Sequence, residues 1–204
     1  MAEQAVSEEK TFTKTKKQLD PRIAFAIMAV MICCALCIGA NKAWKEKRQN
    51  VDAGYAFLAD DLQLRVETAY NLLTVAGRYL PAADPQVAAV KKDLQQMESV
   101  SQKAEALNAA VAGGRQFTDD ASALLASLAA NASVRADSRD AMYVTLMLPQ
   151  AVEQCSGSAA ITAYRTAAES SNSGLRSFSG PLARLTGVKA APELSAANAG
   201  QAGT

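Results

Sequence analysis

The sequence predicts an all-α protein in which a single N-terminal transmembrane helix leads into an elongated antiparallel bundle of about four helices. Hydrophobic residues make up 50% of the chain but aromatic residues only 5%, and Ala dominates the apolar set, which suits closely packed helices. One run near the N-terminus carries no charge. Beyond it, apolar residues recur in steps of four and three, the heptad pattern of packed helices.

The charge-free run IAFAIMAVMICCALCIGA, residues 23–40, follows a polar tail, residues 1–22. Its 18 residues can cross a ~30 Å hydrocarbon layer if flanking side chains extend toward the surface. The run therefore predicts a transmembrane helix with the lipid bilayer as its partner. A cleaved signal peptide is the competing interpretation, because Ile38-Gly39-Ala40 loosely resembles a cleavage site, although a signal h-region has only ~7–15 apolar residues.

Charges on the two sides of this run bear on its orientation. Five cationic residues precede it and four follow it closely: Lys10, Lys14, Lys16, Lys17 and Arg22, then Lys42, Lys45, Lys47 and Arg48. The positive-inside count is nearly balanced. Because the first 22 residues are short and polar, we expect the N-terminus in the cytoplasm and the bundle outside it.

The cysteines do not form a disulfide pattern. Cys33, Cys34 and Cys37 lie in the apolar run, and Cys155 is alone in the rest of the chain. We interpret all four as small apolar packing residues. Acylation of Cys33 or Cys34 is the alternative.

Residues 41–187 carry the predicted bundle. One stripe defines a first helix, which Pro81 should end near Leu80: Val51, Tyr55, Leu58, Leu62, Arg65, Ala69, Leu72, Ala76 and Tyr79. Asp84 and Pro85 suit the N-cap and first position of a second helix, and the short connection makes it antiparallel. We expect the pair Gly113-Gly114 to end that helix.

A third helix is predicted to open near Thr118 and to end at the pattern break over residues 131–138. The fourth runs from about Ser138 to Phe178, with a bend near Gln150 imposed by Pro149. Its seam consists of Tyr164, Ala168, Ser171, Leu175 and Phe178. Gly180-Pro181 should end it, and the Ala/Gly-rich tail, residues 188–204, is predicted to be disordered.

Two stretches of the chain resemble the LemA family. Residues 51–79 are similar to the first soluble helix of that family, whose pattern is V-x-x-A-W followed by Q-L-x-R-R-x-D-L-I-P-N-L-V and G-Y. The positions in register are Val51, Tyr55 in place of Trp, Leu62, Arg65, Glu67, Asn71 and Tyr79. The C-terminal pattern Y-N-x-x-V-x-x-Y-N-x-x-I-x-x-F-P with a following Gly is matched at Tyr164, Asn172, Leu175, Phe178 and Gly187.

Several family positions differ. Tyr70 and Ser179 replace prolines, Arg165 replaces an Asn and Ser171 replaces a Tyr, and residues 113–160 match only in helical character. The resemblance implies a divergent single-pass bacterial membrane protein with an antiparallel helical bundle. The biochemical role of the family is itself poorly defined.

Three polar residues in or beside the stripes are candidate site residues. Asn71 and Asn172 occupy family-matching places, where a buried amide could fix helix register or line a polar pocket. Arg65 stands inside an apolar stripe. Glu67 is badly placed to pair with it, so we expect a carboxylate on another helix or an exposed position.

Catalytic chemistry finds little support in the residues. The chain has no His, which removes the commonest general base and metal ligand. Asp60-Asp61 and Asp119-Asp120 are interpreted as solvated or helix-start charges. No cofactor or metal is predicted, and the net charge of +1 does not indicate nucleic-acid binding.

The sequence thus favours a non-enzymatic scaffold or adaptor of the cell envelope that binds another membrane or envelope protein and could form homo-oligomers. The alternative is a membrane-tethered, ligand-sensing bundle that acts through a separate partner.

Overall fold

The computed structural model describes residues 20–177, 184 and 187–195. Its described part contains α-helices and one π-helical turn and no strand, which confirms the all-α prediction. The chain divides into two compact units, residues 1–39 and 40–204. The helices are α1 Pro21–Tyr79, α2 Pro85–Glu98, α3 Ala104–Ala130, α4 Ala132–Ala136, α5 Ser138–Met142, α6 Leu148–Gln154 and α7 Ala159–Arg176, with the π-helical turn at Tyr143–Met147.

The N-terminal part of α1 is long and apolar enough to cross a membrane. None of its apolar stretch is buried within the protein, and large side chains such as Phe25 and Met31 are about two-thirds exposed. The core helix of a soluble protein would bury such side chains. A helix that is apolar on every face and unburied is typical of a membrane span.

The remainder of α1 forms the first rod of the bundle. Its predicted stripe is the buried face: Leu58, Leu62, Arg65, Ala69, Leu72 and Ala76 are buried, and Val51, Tyr55 and Tyr79 are partly buried against the core. The heptad spacing places these residues on one side of the helix, where they meet α3, α5 and α7. The helix ends at Tyr79, two residues before Pro81.

The second and third rods, α2 and α3, form an antiparallel helical hairpin. As predicted, α2 begins at Pro85, with the Asp84 carboxylate accepting hydrogen bonds from the backbone N–H groups of Gln86 and Val87. The predicted end at Gly113-Gly114 is wrong. The chain reverses at residues 99–103 instead, and both glycines lie inside α3, as does Thr118, where a third helix was predicted to begin.

Helix contact explains the two glycines. A Cβ on Gly113 would lie 2.8 Å from Cβ of Gln96 and 3.0 Å from the carbonyl oxygen of Asp93, both on α2. A Cβ on Gly114 would lie 2.9 Å from a methyl group of Leu62 on α1. The glycines therefore let α3 approach two helices closely, and neither ends a helix.

The fourth rod is the broken run from α4 to α7, which returns antiparallel to α1. Asn131 and Asp137 cap the short helices α4 and α5. The predicted interruption around Pro149 is present, but it lies on the N-terminal side, as the π-helical turn Tyr143–Met147. A wider turn there accommodates the proline ring, which clashes with the carbonyl group one turn earlier in a regular helix.

The seam of α7 is buried as predicted at Tyr164, Ala168, Ser171 and Leu175, and Trp44 of α1 packs on Leu175. An unpredicted break at residues 155–158 separates α6 from α7. The predicted seam residue Phe178 and the predicted end at Gly180-Pro181 lie outside the described residues.

The first eight residues of the predicted disordered tail pack against the bundle. Residues 188–195, here called the strap, are not helical, but Ala191 and Leu194 are partly buried against the core. Backbone groups of the strap bond to side chains on α3 and α7. The prediction of disorder is therefore wrong for the strap, and residues 196–204 lie outside the described part of the chain.

Candidate functional site

Arg65 joins three parts of the bundle. Its side chain is 3% exposed, and its Nε donates to Asp61 one turn earlier on α1, at 2.9 Å. Nη1 donates to the carbonyl oxygen of Gly114 on α3 at 2.6 Å, and Nη2 to that of Gly157 in the α6–α7 connection at 2.8 Å. The planar guanidinium spreads its donors over three nitrogen atoms, whereas a lysine ammonium carries all three of its donors on one nitrogen.

The partner carboxylate of Arg65 was predicted on another helix, or the side chain was expected to be exposed. Both expectations are wrong, because Arg65 is buried and Asp61 is on its own helix. Asp61 was also misinterpreted as a solvated charge. Since Gly114 has no side chain, the guanidinium can reach its carbonyl group.

Cys155 lies close to this arginine. Its side chain is fully buried, its Sγ lies 3.7 Å from Oγ1 of Thr68, and burial raises the pKa of the thiol. A buried, protonated thiol is a poor nucleophile. The geometry is that of a small packing residue, as the sequence predicted.

Asn172 holds the strap. Its Nδ2 donates to the carbonyl oxygen of Ala191 at 3.0 Å, and its Oδ1 accepts the backbone N–H of the same residue at 2.8 Å. Asn108 on α3 does the same farther along, donating to the carbonyl oxygen of Glu193 at 3.0 Å and accepting from the N–H of Ser195 at 2.7 Å. Asn172 is buried, but its bonds go to a non-helical segment and not to a facing helix.

Asn71 lies elsewhere and is exposed, so it is not a buried register amide. It lines a polar depression of about 320 Å³, together with Thr74, Arg78 and Tyr143. Asn71 and Asn172 are therefore not brought together in one site. The sequence spacing could not predict that Asn172 is buried and Asn71 exposed. Spacing indicates the position of a residue along its helix, but not which neighbouring segment covers it.

The other side of this depression contains an ionic cluster that the sequence did not predict. Asp140 on α5 is buried and accepts hydrogen bonds from Nη1 of Arg78 at 2.8 Å and from the Tyr79 hydroxyl at 2.7 Å. The Tyr79 hydrogen bond, followed by the charge of Arg78, lowers the pKa of Asp140. The cluster ties the end of α1 to the first helices of the fourth rod.

A second unpredicted group is a carboxyl pair between α2 and α3. Asp93 is 1% exposed, and neither carboxylate oxygen meets a hydrogen-bond donor among the described residues. Burial first, and then the Asp120 carboxyl beside it, raise the pKa of Asp93 to about 7. Asp120 was interpreted as a helix-start charge, but it lies inside α3 and is half-buried against α2. The raised pKa keeps the Asp93 carboxyl protonated up to about neutral pH.

Next to the strap lies a cleft of about 240 Å³. Its lining contains the rings of Tyr55 and Tyr164, which meet edge to face with centroids 6.3 Å apart, and the charged side chains of Arg48, Asp52 and Lys189. Burial raises the pKa of Tyr164 to about 12, so its hydroxyl stays protonated and donates to the carbonyl oxygen of Pro192. The cleft combines aromatic surface with two cationic side chains and one carboxylate.

Within residues 20–177, 184 and 187–195, no three Cys, Asp or Glu side chains are grouped so as to hold a metal ion.

Comparison with known proteins found no matching protein-family model, no matching curated protein and no matching solved structure. The function must therefore be argued from the geometry.

Proposed function

We propose that the protein is a single-pass, membrane-anchored scaffold or adaptor of the bacterial cell envelope, related to the LemA family and without an enzymatic activity of its own. The exposed apolar segment of α1 supports anchorage. The residues that resemble LemA sequences, Arg65 and Asn172 among them, hold segments of the bundle together. A helical body with such internal ties can present a fixed surface to a partner.

The observation that carries the scaffold function is an apolar surface at the π-helical turn. Met142, Leu146 and Met147 are each more than half exposed, within six residues of chain, and we call them the Met142 patch. Exposed groups of large apolar side chains mark interaction sites. Methionine adapts its shape to a partner more readily than branched side chains do. π-Helical turns also occur frequently at functional sites.

Photo-crosslinking in native membranes tests this proposal. A photoreactive residue at Leu146 of the full-length protein should give discrete adducts with a different membrane or envelope protein. The matched control carries the same residue at Lys91, which is exposed on α2 and not on the fourth rod that bears the patch. Only self-adducts, or none, at Leu146 would contradict the scaffold function.

A second candidate function is ligand sensing, and the cleft beside the strap favours it. Its aromatic lining and its net positive charge, with Arg48 and Lys189 against Asp52, suit a small aromatic anion. Benzoate is a suitable probe. If sensing is the function, millimolar benzoate should raise the melting temperature of the full-length protein in detergent, and Arg48→Ala with Lys189→Ala should abolish the rise. Such a result together with an inert Met142 patch would replace the scaffold proposal.

The proposed orientation places the bundle outside the cytoplasm. In a full-length protein with its four native cysteines replaced, Glu153→Cys puts a thiol on the exposed face of α6. A membrane-impermeant maleimide should label it in intact cells. Labelling only after lysis would reverse the orientation.

A further inference from the structure

The strap is held by hydrogen bonds between polar side chains of the helices and its backbone N–H and carbonyl groups. Asn172 makes two hydrogen bonds to the backbone of Ala191, and Asn108 makes two to the backbone of Glu193 and Ser195. The Tyr164 hydroxyl adds a bond of 2.8 Å to the carbonyl oxygen of Pro192. Paired amide bonds of this kind replace the ladder bonds that a neighbouring strand would offer to an extended peptide.

Side chains of the strap supply selectivity. The Glu193 carboxylate accepts from Nδ2 of Asn172 at 2.9 Å and lies 3.5 Å from Nη2 of Arg176. Leu194 is partly buried against the core. The groove between α3 and α7 therefore suits an extended segment with a carboxylate followed directly by a leucine.

The strap is held more weakly than the helices. Its residues are half-buried or exposed, and its apolar contacts come from small or single side chains: Val188, Ala191 and Leu194. The cleft of about 240 Å³ remains beside it. A segment that is bound mainly by a few hydrogen bonds, each worth about 0.5–1.5 kcal/mol, can leave its groove without unfolding the bundle.

We propose that the α3–α7 groove is a receptor for an extended peptide, and that its alternative occupant is the strap of a second copy of this chain. The same contacts form whether the strap comes from the same chain or from a partner copy, so exchange changes only the path of the connection from α7. The eleven residues 177–187 form that connection, and they include Gly180 and Gly187. Gly187 has φ +82°, a conformation that glycine adopts without strain.

Exchange of the strap involves the α3–α7 groove alone and does not depend on the Met142 patch. The strap is the one peptide that the structure places in the groove, and a second copy carries the identical segment. Reciprocal exchange would thus join two copies through two grooves. If one of the two exchanged straps leaves its groove, the other still joins the two copies.

Crosslinking between two distinguishable copies tests the exchange. Two full-length proteins with different affinity tags and without native cysteines are co-expressed, one with Arg176→Cys and the other with Glu193→Cys. These positions are exposed and lie close together across the groove edge. A short bis-maleimide should join the two tags in one adduct. Replacing Arg176→Cys by Glu153→Cys, exposed on α6, should reduce the adduct at least fivefold.

Two further variants make the test specific for the groove. Ala191→Pro removes the backbone N–H of the strap that donates to Oδ1 of Asn172. Asn172→Ala removes the side-chain amide on α7 that accepts this bond. Each should lower the two-tag adduct severalfold while leaving helical circular dichroism unchanged. An excess of a synthetic peptide with the sequence of residues 187–195 should compete with the strap for the groove and lower the yield of the two-tag adduct.

The exchange is overturned if the two-tag adduct equals the Glu153→Cys control, or if Ala191→Pro leaves it unchanged. Adducts of Arg176→Cys with a different protein, in place of the second copy, would also overturn it and would identify another source of the peptide.

Discussion

The α1–α3 contact and the strap groove both bring a helix close to a foreign backbone, but they do so by opposite means. At the α1–α3 contact a side chain is absent: Gly114 lets α1 approach, and Arg65 of α1 reaches the carbonyl oxygen of Gly114. At the groove, side chains are added: two asparagines extend to bond a strap that makes few apolar contacts. The first arrangement should be strong and fixed, and the second weaker and exchangeable.

The largest expected effect comes from breaking the fixed contact at Arg65. Arg65→Met should lower the free energy of unfolding by about 3–5 kcal/mol, because Asp61 and two carbonyl groups would lose a buried partner. Arg65→Lys should recover only part of this loss, since a lysine ammonium carries all its donors on one nitrogen. Urea unfolding of the full-length protein in detergent, followed by circular dichroism, measures both.

The surface variant Lys91→Met serves as the control, because Lys91 is exposed on α2. It should change the free energy of unfolding by less than about 0.5 kcal/mol. A loss below about 1 kcal/mol for Arg65→Met would show that the three bonds do not hold the bundle together.

Gly113 at the α2–α3 contact should give the next largest effect. The direction of the change in stability tests whether the close approach of the two helices matters. Gly113→Ala should destabilise the bundle by about 1–3 kcal/mol, because the new Cβ would meet the carbonyl oxygen of Asp93 at 3.0 Å and force α2 and α3 apart. Gly77→Ala on α1 is the matched control, with no atom within 4 Å of the new methyl group. Helix propensity alone should make that variant more stable by up to about 1 kcal/mol.

The free energy of unfolding should therefore change in opposite directions in the two variants: it should fall for Gly113→Ala and rise for Gly77→Ala. Equal stabilisation of both variants would mean that α2 and α3 can separate without cost, and the close approach would then not be a source of stability.

These glycines also show where the sequence could predict the fold and where it could not. The α1 stripe was predicted because steps of four and three place Leu58, Leu62 and Leu72 on one face, whatever covers them. A Gly-Gly pair is ambiguous, since it suits a helix end and a close helix contact equally well. The true reversal at residues 99–103 contains neither Gly nor Pro, so the sequence gives no turn signal there.

The candidate sites divide in the same way. Arg65 and Asn172 were predicted as polar residues of interest from their place on an apolar stripe. Their partners could not be predicted, because Gly114, Gly157 and Ala191 contribute backbone carbonyl and N–H groups. Every residue except proline carries both groups, so composition cannot mark the ones that are used. The same limit led to the prediction that the strap, as part of the Ala/Gly-rich tail, is disordered.

The Asp93 pair predicts a pH-dependent stability. The pKa of Asp93 is raised to about 7 in the folded protein, from an ordinary value of 3.8, so the folded state binds more protons between these values. The free energy of unfolding should therefore fall as pH rises from about 4 to about 7. Asp120 on α3 opposes ionisation of Asp93, and Lys92 on α2 favours it more weakly.

Asp93→Asn tests this directly, since an amide keeps the shape of a protonated carboxyl group and can donate to Asp120. At pH 8 the variant should be more stable than the wild type by about 1–3 kcal/mol, and at pH 4 the two should be nearly equal. Asp119→Asn, an exposed neighbour of Asp120, should leave the pH profile unchanged. A wild-type stability profile that is flat from pH 4 to pH 7 would contradict the raised pKa of Asp93.

The smallest expected effect belongs to a helix cap, which uses the same kind of side-chain to backbone bond as the strap groove. The Asp84 carboxylate accepts from the N–H groups of Gln86 and Val87 at 2.9 and 3.3 Å. Asp84→Ala should cost about 1 kcal/mol in the free energy of unfolding, and Asp84→Ser should recover most of it, because the serine hydroxyl can accept the same bonds. If Asp84→Ala and Asp84→Ser lose similar amounts of stability, the effect comes from the charge of Asp84 at the helix N-terminus. The cap would then give no measure of the free energy of a side-chain to backbone hydrogen bond, the kind of bond that holds the strap.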